Sequence, residues 1–410
     1  MALNYIWSSF ILIAFIFGLY RYFALDEVEI FGKIITSLFD NAKTGFELSI
    51  GLTGVMCLWL GLMKMAEKAG MIEALTRLVN PVFAHFFPSI PPNHPSIGFI
   101  MLNFSANLLG LDNAATPIGL KAMQSLQELN SDKETATNAQ IMFLVLNTSG
   151  LTLIPVSVLM YRTQMGAANP ADVFFPILLA TFLSTLAGLI AVAIYQKINM
   201  LNRFFLFLAL SVSTLFALLV YFLTSLSQTE IQAYSGQMGQ FILLLVVVLF
   251  VGTALFKRLN GYDVFIEGAK EGFQTAIMII PYLVAILIAI GAFRASGAMD
   301  LLVGAIASFF EFFNLDSGFV HALPTAMMKP LSGSGARGLM IDTMKQFGAD
   351  SFPARVACTI QGSTDTTFYI LAVMFGSVGV RKMRHAIVCG LIADFVGIVS
   401  AIILSYYFFG

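Results

Sequence analysis

The sequence predicts an all-α polytopic membrane protein made of two inverted-topology repeats, with re-entrant or broken helices, joined by an extra transmembrane helix. Composition is the first observation behind that reading. Of 410 residues, 58% are hydrophobic and 11% charged, and mean hydropathy is +0.85; a soluble domain carries about 25% charged residues. The second is a pair of polar interruptions in otherwise apolar runs. They are Gln361-Gly362-Ser363-Thr364-Asp365-Thr366-Thr367 and Asn147-Thr148-Ser149-Gly150-Leu151-Thr152. Polar groups at membrane depth are tolerated only where they are buried in protein or line a watered cavity. The third is an internal repeat: residues 40–50 align with 267–277 with five identities.

A span needs about 20 apolar residues at 1.5 Å rise each. Full spans are expected near 4–22, 46–64, 139–161, 173–196, 204–225, 238–256, 274–293, 355–376 and 386–408, with the polar interruptions inside 139–161 and 355–376. Regions 97–126 and 317–345 are apolar but punctuated by Gly, Pro, Asn and Ser, and read as re-entrant hairpins or pairs of half-helices. Segments 26–43 and 261–272 alternate charge with Ile and Phe at helical spacing, as amphipathic helices lying at the interface do. Segment 5–20 lacks a basic leader and a small-residue cleavage site, so it reads as a retained span. Trp7, Trp59, Tyr406 and Tyr407 suit interfacial anchors, and Pro88, Pro91 and Pro92 a loop that sets chain direction. Cys57, Cys358 and Cys389 lie in apolar runs without metal spacing and read as packing residues. A net charge of −1 argues against a nucleic-acid partner; the lipid bilayer is the expected one.

The repeat continues past its first match. At the same offset 65–75 falls on 292–302, and with small shifts 113–123 falls on 334–344 and 147–152 on 361–366. The expected organisation is a repeat at 1–200, a linker transmembrane helix within 201–233 and a second repeat at 234–410. Each repeat has four full crossings and a hairpin that returns to its own side. One added crossing then starts the second copy from the opposite face, the inverted architecture of many secondary transporters. Lys197 with Arg203, Lys257 with Arg258, and Arg381, Lys382 and Arg384 mark three basic loops, whereas 227–237 carries no basic residue. Placing the basic loops inside a bacterial inner membrane puts the N-terminus in the cytoplasm and the C-terminus outside. Arg21, Lys33 and Lys43 fall on the opposite side in that arrangement.

At these residues the chain can be matched to a family. Trp59-Leu-Gly-Leu-Met-Lys-Met-Ala-Glu67, Phe87-Pro-Ser-Ile-Pro-Pro-Asn-His-Pro95, Asn113-Ala-Ala-Thr-Pro117 and Asn147-Thr-Ser149 with Pro155 resemble the spore maturation protein A family across about 1–200. Tyr262-Asp-Val-Phe-Ile-Glu-Gly-Ala-Lys-Glu-Gly272, Phe293-Arg-Ala-Ser-Gly-Ala298, Pro330-Leu-Ser-Gly333 and Gln361-Gly-Ser-Thr-Asp-Thr-Thr-Phe-Tyr369 resemble spore maturation protein B across about 234–410. The chain is thus similar to a fusion of the pair. Both belong to the nucleoside-recognition, or Gate, superfamily shared with nucleoside transporters and ferrous-iron permeases. The resemblance implies a transporter-like fold without establishing nucleosides as substrate.

The expected substrate-binding residues follow from the interruptions and the hairpins. In the second half they are Ser332, Ser334, Arg337, Gln361, Ser363, Thr364, Asp365, Thr366 and Thr367. Asp365 inside a span is a functional-site hypothesis by default. Its hydroxyl neighbours and the carbonyls freed by a broken helix suit a hard cation, so coupling to Na+ or H+ through Asp365 is expected, with no other cofactor. The glycine-rich turn 329–338 resembles an anion-binding loop, with a half-helix starting near Ala336 and its positive end inward. Arg337 or Lys329 is a candidate partner for Asp365 in the empty state. In the first half the matching positions are Asn103, Asn107, Asn113, Thr116, Asn147, Thr148, Ser149 and Thr152, with Leu151 in the place of Asp365. Amides that donate and accept suit a small polar substrate such as a base, sugar or peptide-like group.

The expected function is therefore a secondary transporter of a small polar metabolite, nucleoside-like or otherwise, working through a midplane site; the sequence is also compatible with a homo-oligomer. The rival is a membrane scaffold or assembly protein of cell-envelope or spore maturation, because Gly, Ser and Thr inside spans commonly serve close packing. Gly188, Gly397, Ser184 and Thr185 are assigned to packing on that ground. An intramembrane hydrolase would be left with a Ser–Lys pair of Ser363 or Ser332 with Lys329, and no enzyme activity is expected. No Walker loop is present to drive transport by ATP.

Overall fold

The computed structural model describes residues 2–91, 94–108, 112–198, 226, 228–313 and 316–410, with isolated positions between 203 and 218. Side chains of 2–4 and 78–84, of 112–114 and of several residues in 228–235 are outside that description. The expected linker span at 204–225 lies outside the described residues apart from those isolated positions.

The described residues are helical almost throughout. In chain order the helices are α1 (Ala2–Ala24), α2 (Ile30–Lys68), α3 (Met71–Phe83), α4 (Pro95–Leu108), α5 (Asp112–Glu128), α6 (Asn138–Ser149), α7 (Val156–Gln164) and α8 (Phe174–Tyr195). There follow α9 (Gln228–Phe256), α10 (Gly261–Ala295), α11 (Ala298–Phe312), α12 (Leu323–Met328), α13 (Gly333–Phe347), α14 (Phe352–Ser363), α15 (Thr367–Ser377) and α16 (Ala386–Phe409). Six described helices are long and apolar enough to cross a membrane: Tyr5–Ala24, Ile30–Lys68, Pro170–Tyr195, Gly236–Phe256, Gly261–Ala295 and Ala386–Phe409. They cover six of the expected spans. The expected spans at 139–161 and 355–376 are each two half-helices around their polar interruption, α6/α7 and α14/α15. The regions 97–126 and 317–345 are likewise pairs, α4/α5 and α12/α13.

The amphipathic stretches are not separate interfacial helices, as the sequence suggested. Each is the first part of a long helix: α2 has 39 residues and α10 has 35. At 1.5 Å per residue that is about 50–60 Å, well beyond the ~30 Å hydrocarbon core. What keeps them helical is the packing of one on the other.

Packing divides the chain into two compact units, each drawing on both sequence halves. The first comprises Met1–Ala69, Val156–Pro170 and Val247–Gln361. Within it α2 and α10 run antiparallel. A Cβ placed on Gly45 would lie 3.0 Å from Cα of Val284, and one on Gly272 2.8 Å from Cα of Cys57. Gly45 and Gly272 are aligned positions of the two repeats, and so are Cys57 and Val284. The two contacts are therefore the same contact made twice, as in a self-complementary two-fold interface. The polar opening of each helix lies on the apolar remainder of the other, with Gly61 against Phe265, Gly268 against the Leu60 carbonyl and Gly291 against Asn41. Ion pairs Lys64–Glu271 at 3.3 Å and Lys68–Glu267 at 2.5 Å close one end. Trp7 donates its indole N–H to the Ala285 carbonyl at 2.8 Å, so it ties α1 to α10.

Arg162 on α7 is fully buried in the same unit. It donates to the carbonyls of Ala349 (2.7 Å), Asn169 (3.3 Å) and Pro170 (3.2 Å) and to Asp350 Oδ1 (3.1 Å). A guanidinium has five donors in a rigid fork, and here four acceptors hold the turn after α7 to the turn before α14.

The second unit comprises Gly70–Pro155, Ala171–Val246 and Gly362–Gly410. Its apolar core gathers Phe86, Phe104, Phe143, Leu144, Met374 and Phe375. Helices α8 and α16 cross antiparallel through two small-residue pairs. Gly188 lies against Ala393, and Gly397 against Ser184, each glycine following by four residues the residue its partner packs on. Small residues four apart let membrane helices approach closely, and Ser184 Oγ donates across the contact to the Ala393 carbonyl at 2.9 Å. The assignment of Gly188, Gly397 and Ser184 to packing holds.

Candidate functional site

The two polar interruptions end their helices in different ways. Helix α6 begins with a capping box, Gln140 N–H donating to Thr137 Oγ1 (3.2 Å) and Thr137 N–H to Gln140 Oε1 (2.9 Å). It ends where Gly150 turns left-handed, φ 60° and ψ 40°, and α7 starts at Val156, directly after Pro155, which disfavours helical backbone at Ile154. Helix α14 ends at Ser363 without a glycine at the turn. There the Asp365 carboxylate accepts from the Thr366 N–H at 2.7 Å, a local bond that competes with helix continuation.

The interruptions meet. Asp365 N–H donates to the Thr148 carbonyl at 2.8 Å. Gly150 faces the same peptide, since a Cβ on it would be 3.1 Å from Asp365 N and 3.3 Å from the Thr364 carbonyl carbon. The Gly150 carbonyl is itself held by Thr181 Oγ1 and Thr152 Oγ1, both at 2.9 Å. Leu153 N–H donates to the Leu108 carbonyl at 2.9 Å, which ties the first interruption to the end of α4.

A chain of amides runs beside this junction. Asn107 Nδ2 donates to Asn147 Oδ1 at 3.0 Å and approaches Asn103 Oδ1 at 3.4 Å, while Asn103 Nδ2 donates to the Ala115 carbonyl at 2.7 Å. Asn147 Nδ2, Thr148 Oγ1 and Ser149 Oγ each donate back to a carbonyl of α6 itself, those of Phe143, Val145 and Leu146. Of the second interruption, Ser363, Thr364, Thr366 and Thr367 are buried and Asp365 is exposed. Among the described residues the hydroxyls of Thr364, Thr366 and Thr367 have no hydrogen-bond partner. Thr116 is exposed on α5, and the side chain of Asn113 lies outside the described residues.

Ser332, Ser334, Arg337 and Gln361 belong to the other compact unit. Ser332 caps α13, its Oγ accepting from Gly335 N–H at 3.1 Å and lying 3.2 Å from Ser334 Oγ. The half-helix thus begins at Gly333, one turn earlier than the sequence suggested. Arg337 stands 5.7 Å over the Tyr161 ring, a cation–π contact. Gln361 is buried, and among the described residues its Oε1 has no hydrogen-bond partner.

Two residues near the junction escaped the sequence reading. Thr181 reads as one more small residue of a span, and only the structure shows it holding the Gly150 carbonyl. Asp394 is 2% exposed in α16, and its signal was present: it is the one charged residue in a 24-residue apolar helix.

The family described as Gate, nucleoside recognition, matches residues 49–168 and 276–381, more than half the chain. The chain belongs to the Gate family. Its matched segments contain both interruptions. One half is homologous to spore maturation protein A of Bacillus subtilis (strain 168), 38% identical over 187 residues, which is 46% of this chain and 92% of that protein. Another half is homologous to spore maturation protein B of the same organism, 41% identical over 171 residues, which is 41% of this chain and 94% of that protein. A solved structure of CNTnw in an inward-facing substrate-bound state aligns over 98% of this chain and 90% of its own, with 12% identity and a TM-score of 0.40. This is a multi-pass, all-helical Gate membrane protein with bacterial homologues, and the expected resemblance to a fusion of the two spore maturation families is borne out.

Proposed function

We propose that this Gate protein is a secondary transporter of a small polar metabolite, with its repeats in inverted orientation and its substrate held where the two interruptions meet. The observation that carries the reading is the bond from Asp365 N–H to the Thr148 carbonyl, which brings half-helix ends from both repeats to one place beside the amides of Asn103, Asn107 and Asn147. Broken helices at corresponding positions of two repeats are the sequence mark of a transporter site. The antiparallel, reciprocal contacts of α2 with α10 and of α8 with α16 support inverted orientation, because equivalent helices of parallel repeats would run the same way. The exposed Asp365 carboxylate offers an acceptor to a nucleoside-like ligand. Thr116, Asn113 and Thr152 complete the first-repeat side. Ser332, Ser334, Arg337 and Gln361 enter the reading as a second polar cluster in the other compact unit. The N-terminus is assigned to the cytoplasm and the C-terminus to the outside, on the basic loops alone.

The test is uptake in proteoliposomes across a panel of nucleosides and other small polar metabolites. A transported substrate is expected, with Asp365→Asn reducing uptake at least tenfold. Unchanged uptake and ion dependence in that variant would remove Asp365 from the mechanism.

One observation favours the scaffold alternative. Asn147, Thr148, Ser149 and Thr152 spend their donors on nearby backbone carbonyls, as side chains that only shape a helix end do. On that reading no panel member stabilises the protein, whereas a bound ligand raises the unfolding midpoint by mass action.

A further inference from the structure

We propose that Asp394, midway along α16, forms a sodium-binding site with the hydroxyls of Thr364, Thr366 and Thr367. A carboxylate inside a span is costly and marks a functional position, and Asp394 is 2% exposed. Helical register fixes where it faces. A Cβ on Gly390 would lie 2.8 Å from the Thr367 methyl, 3.3 Å from Thr367 Oγ1 and 3.6 Å from Thr148 Oγ1, and Gly397 lies against the Thr364 methyl. Asp394 follows Gly390 by four residues and precedes Gly397 by three, so all three share one face of α16. Its carboxylate therefore stands at the level of the second interruption, between the heights of Thr367 and Thr364.

The threonines supply an independent observation. Thr364, Thr366 and Thr367 are 5%, 2% and 0% exposed, and among the described residues their Oγ1 atoms have no hydrogen-bond partner. In the facing interruption Thr148 and Ser149 satisfy their hydroxyls on their own helix. Buried polar groups are paired in nearly all native structures, and each exception calls for an explanation such as an ion. Threonine hydroxyls on a segment packed against the helix that carries a carboxylate are hard, neutral ligands. The segment follows the C-terminus of α14, the negative end of that helix. One carboxylate balances one positive charge, whereas a divalent ion would leave an excess charge in a low-dielectric interior. Among the described residues no group of three or more acidic, His or Cys side chains gathers to balance one. Asp365 takes no part, because its side chain is exposed and its carboxylate caps Thr366 N–H.

The inference goes beyond the transport reading and does not depend on it, so binding is measured without substrate. The purified full-length chain in detergent is titrated with NaCl replacing choline chloride at constant ionic strength, with KCl as a second arm, and the apparent unfolding midpoint is read. A saturable rise with sodium, larger than with potassium and absent with choline, is expected. It is lost in Asp394→Asn, and half-saturation moves up about tenfold in Thr364→Val and in Thr367→Val, the effect of losing one oxygen ligand. If Asp394→Asn does not fold, the two valine variants decide, and half-saturation unchanged in both overturns the site. A sodium response that survives in folded Asp394→Asn, or an equal response to choline, also overturns it. A midpoint that follows pH but not sodium overturns the ion while leaving the carboxylate as a proton site. None of these failures touches the uptake test above.

Discussion

Replacing Gly150 with alanine tests whether the two helix interruptions hold each other. Gly150 has φ 60° and ψ 40°, a left-handed conformation that costs an ordinary residue about 1 kcal/mol. A new Cβ would stand 3.1 Å from Asp365 N and 3.3 Å from Asp365 Cβ, closer than nearly all real Cβ contacts, so the facing peptide must give way. That peptide carries the N–H that donates to the Thr148 carbonyl at 2.8 Å. Losing this bond adds about 1 kcal/mol, for a total of about 2 kcal/mol. Gly166 is the control, having φ 76° and open space where its Cβ would go, so alanine there carries only the conformational cost of about 1 kcal/mol. Both variants are unfolded with SDS from mixed micelles beside the wild type, and the two losses are compared. If Gly150→Ala costs no more than Gly166→Ala, the interruptions do not lean on each other and the site built from them falls.

Gly397→Val, placed against Thr364 and Ser184, is expected to destabilise by about 1–3 kcal/mol in the same assay, whereas Gly252→Ala, with no described atom within 4 Å of its new Cβ, gains about 0.5–1 kcal/mol of helix propensity. Arg162→Met takes the donor from the Ala349 carbonyl and from Asp350 Oδ1, whose carboxylate keeps the Ala168 N–H, and costs about 1–3 kcal/mol; expression and SDS midpoint both report it. Asn107→Leu leaves Asn147 Oδ1 without its donor and costs about 1–3 kcal/mol, read as a lower SDS midpoint. Burial and the neighbouring Arg384 guanidinium hold the His385 imidazole below its ordinary range, so its native state is neutral. Stability from this group is complete above the ordinary imidazole value and is lost as pH falls through the lowered one. The unfolding midpoint should therefore drop on acidification, and His385→Phe, which keeps the ring stacked on Tyr195, should flatten that drop.

The interruptions at 147–152 and 361–367 were legible because clustered polar residues cannot be hidden in a lipid-facing helix. The paired half-helices at 97–126 and 317–345 were legible for the same reason. The continuity of α2 and α10 was not, because Asp40, Lys43 and Glu47 look interfacial until a partner helix is known to cover Gly45. Asp394 was missed because one acid among Ile, Val, Ala and Phe barely lowers a hydropathy average. Its meaning depends on Gly390 and Gly397 opening the same face, which is a matter of three-dimensional register. Ser332, Ser334 and Arg337 fall in one compact unit and Asp365 in the other, a division that residue spacing does not reveal.

The way α2 clasps α10 has a consequence for how this polypeptide is made. Neither half owns a complete interior: 1–69 needs 247–361 as a folding partner, and 70–155 needs 362–410. Severing the chain within 201–233 should give two fragments that are degraded when produced singly and rescue each other when produced together. Covalent linkage would then act by guaranteeing equal amounts of two pieces that cannot mature apart.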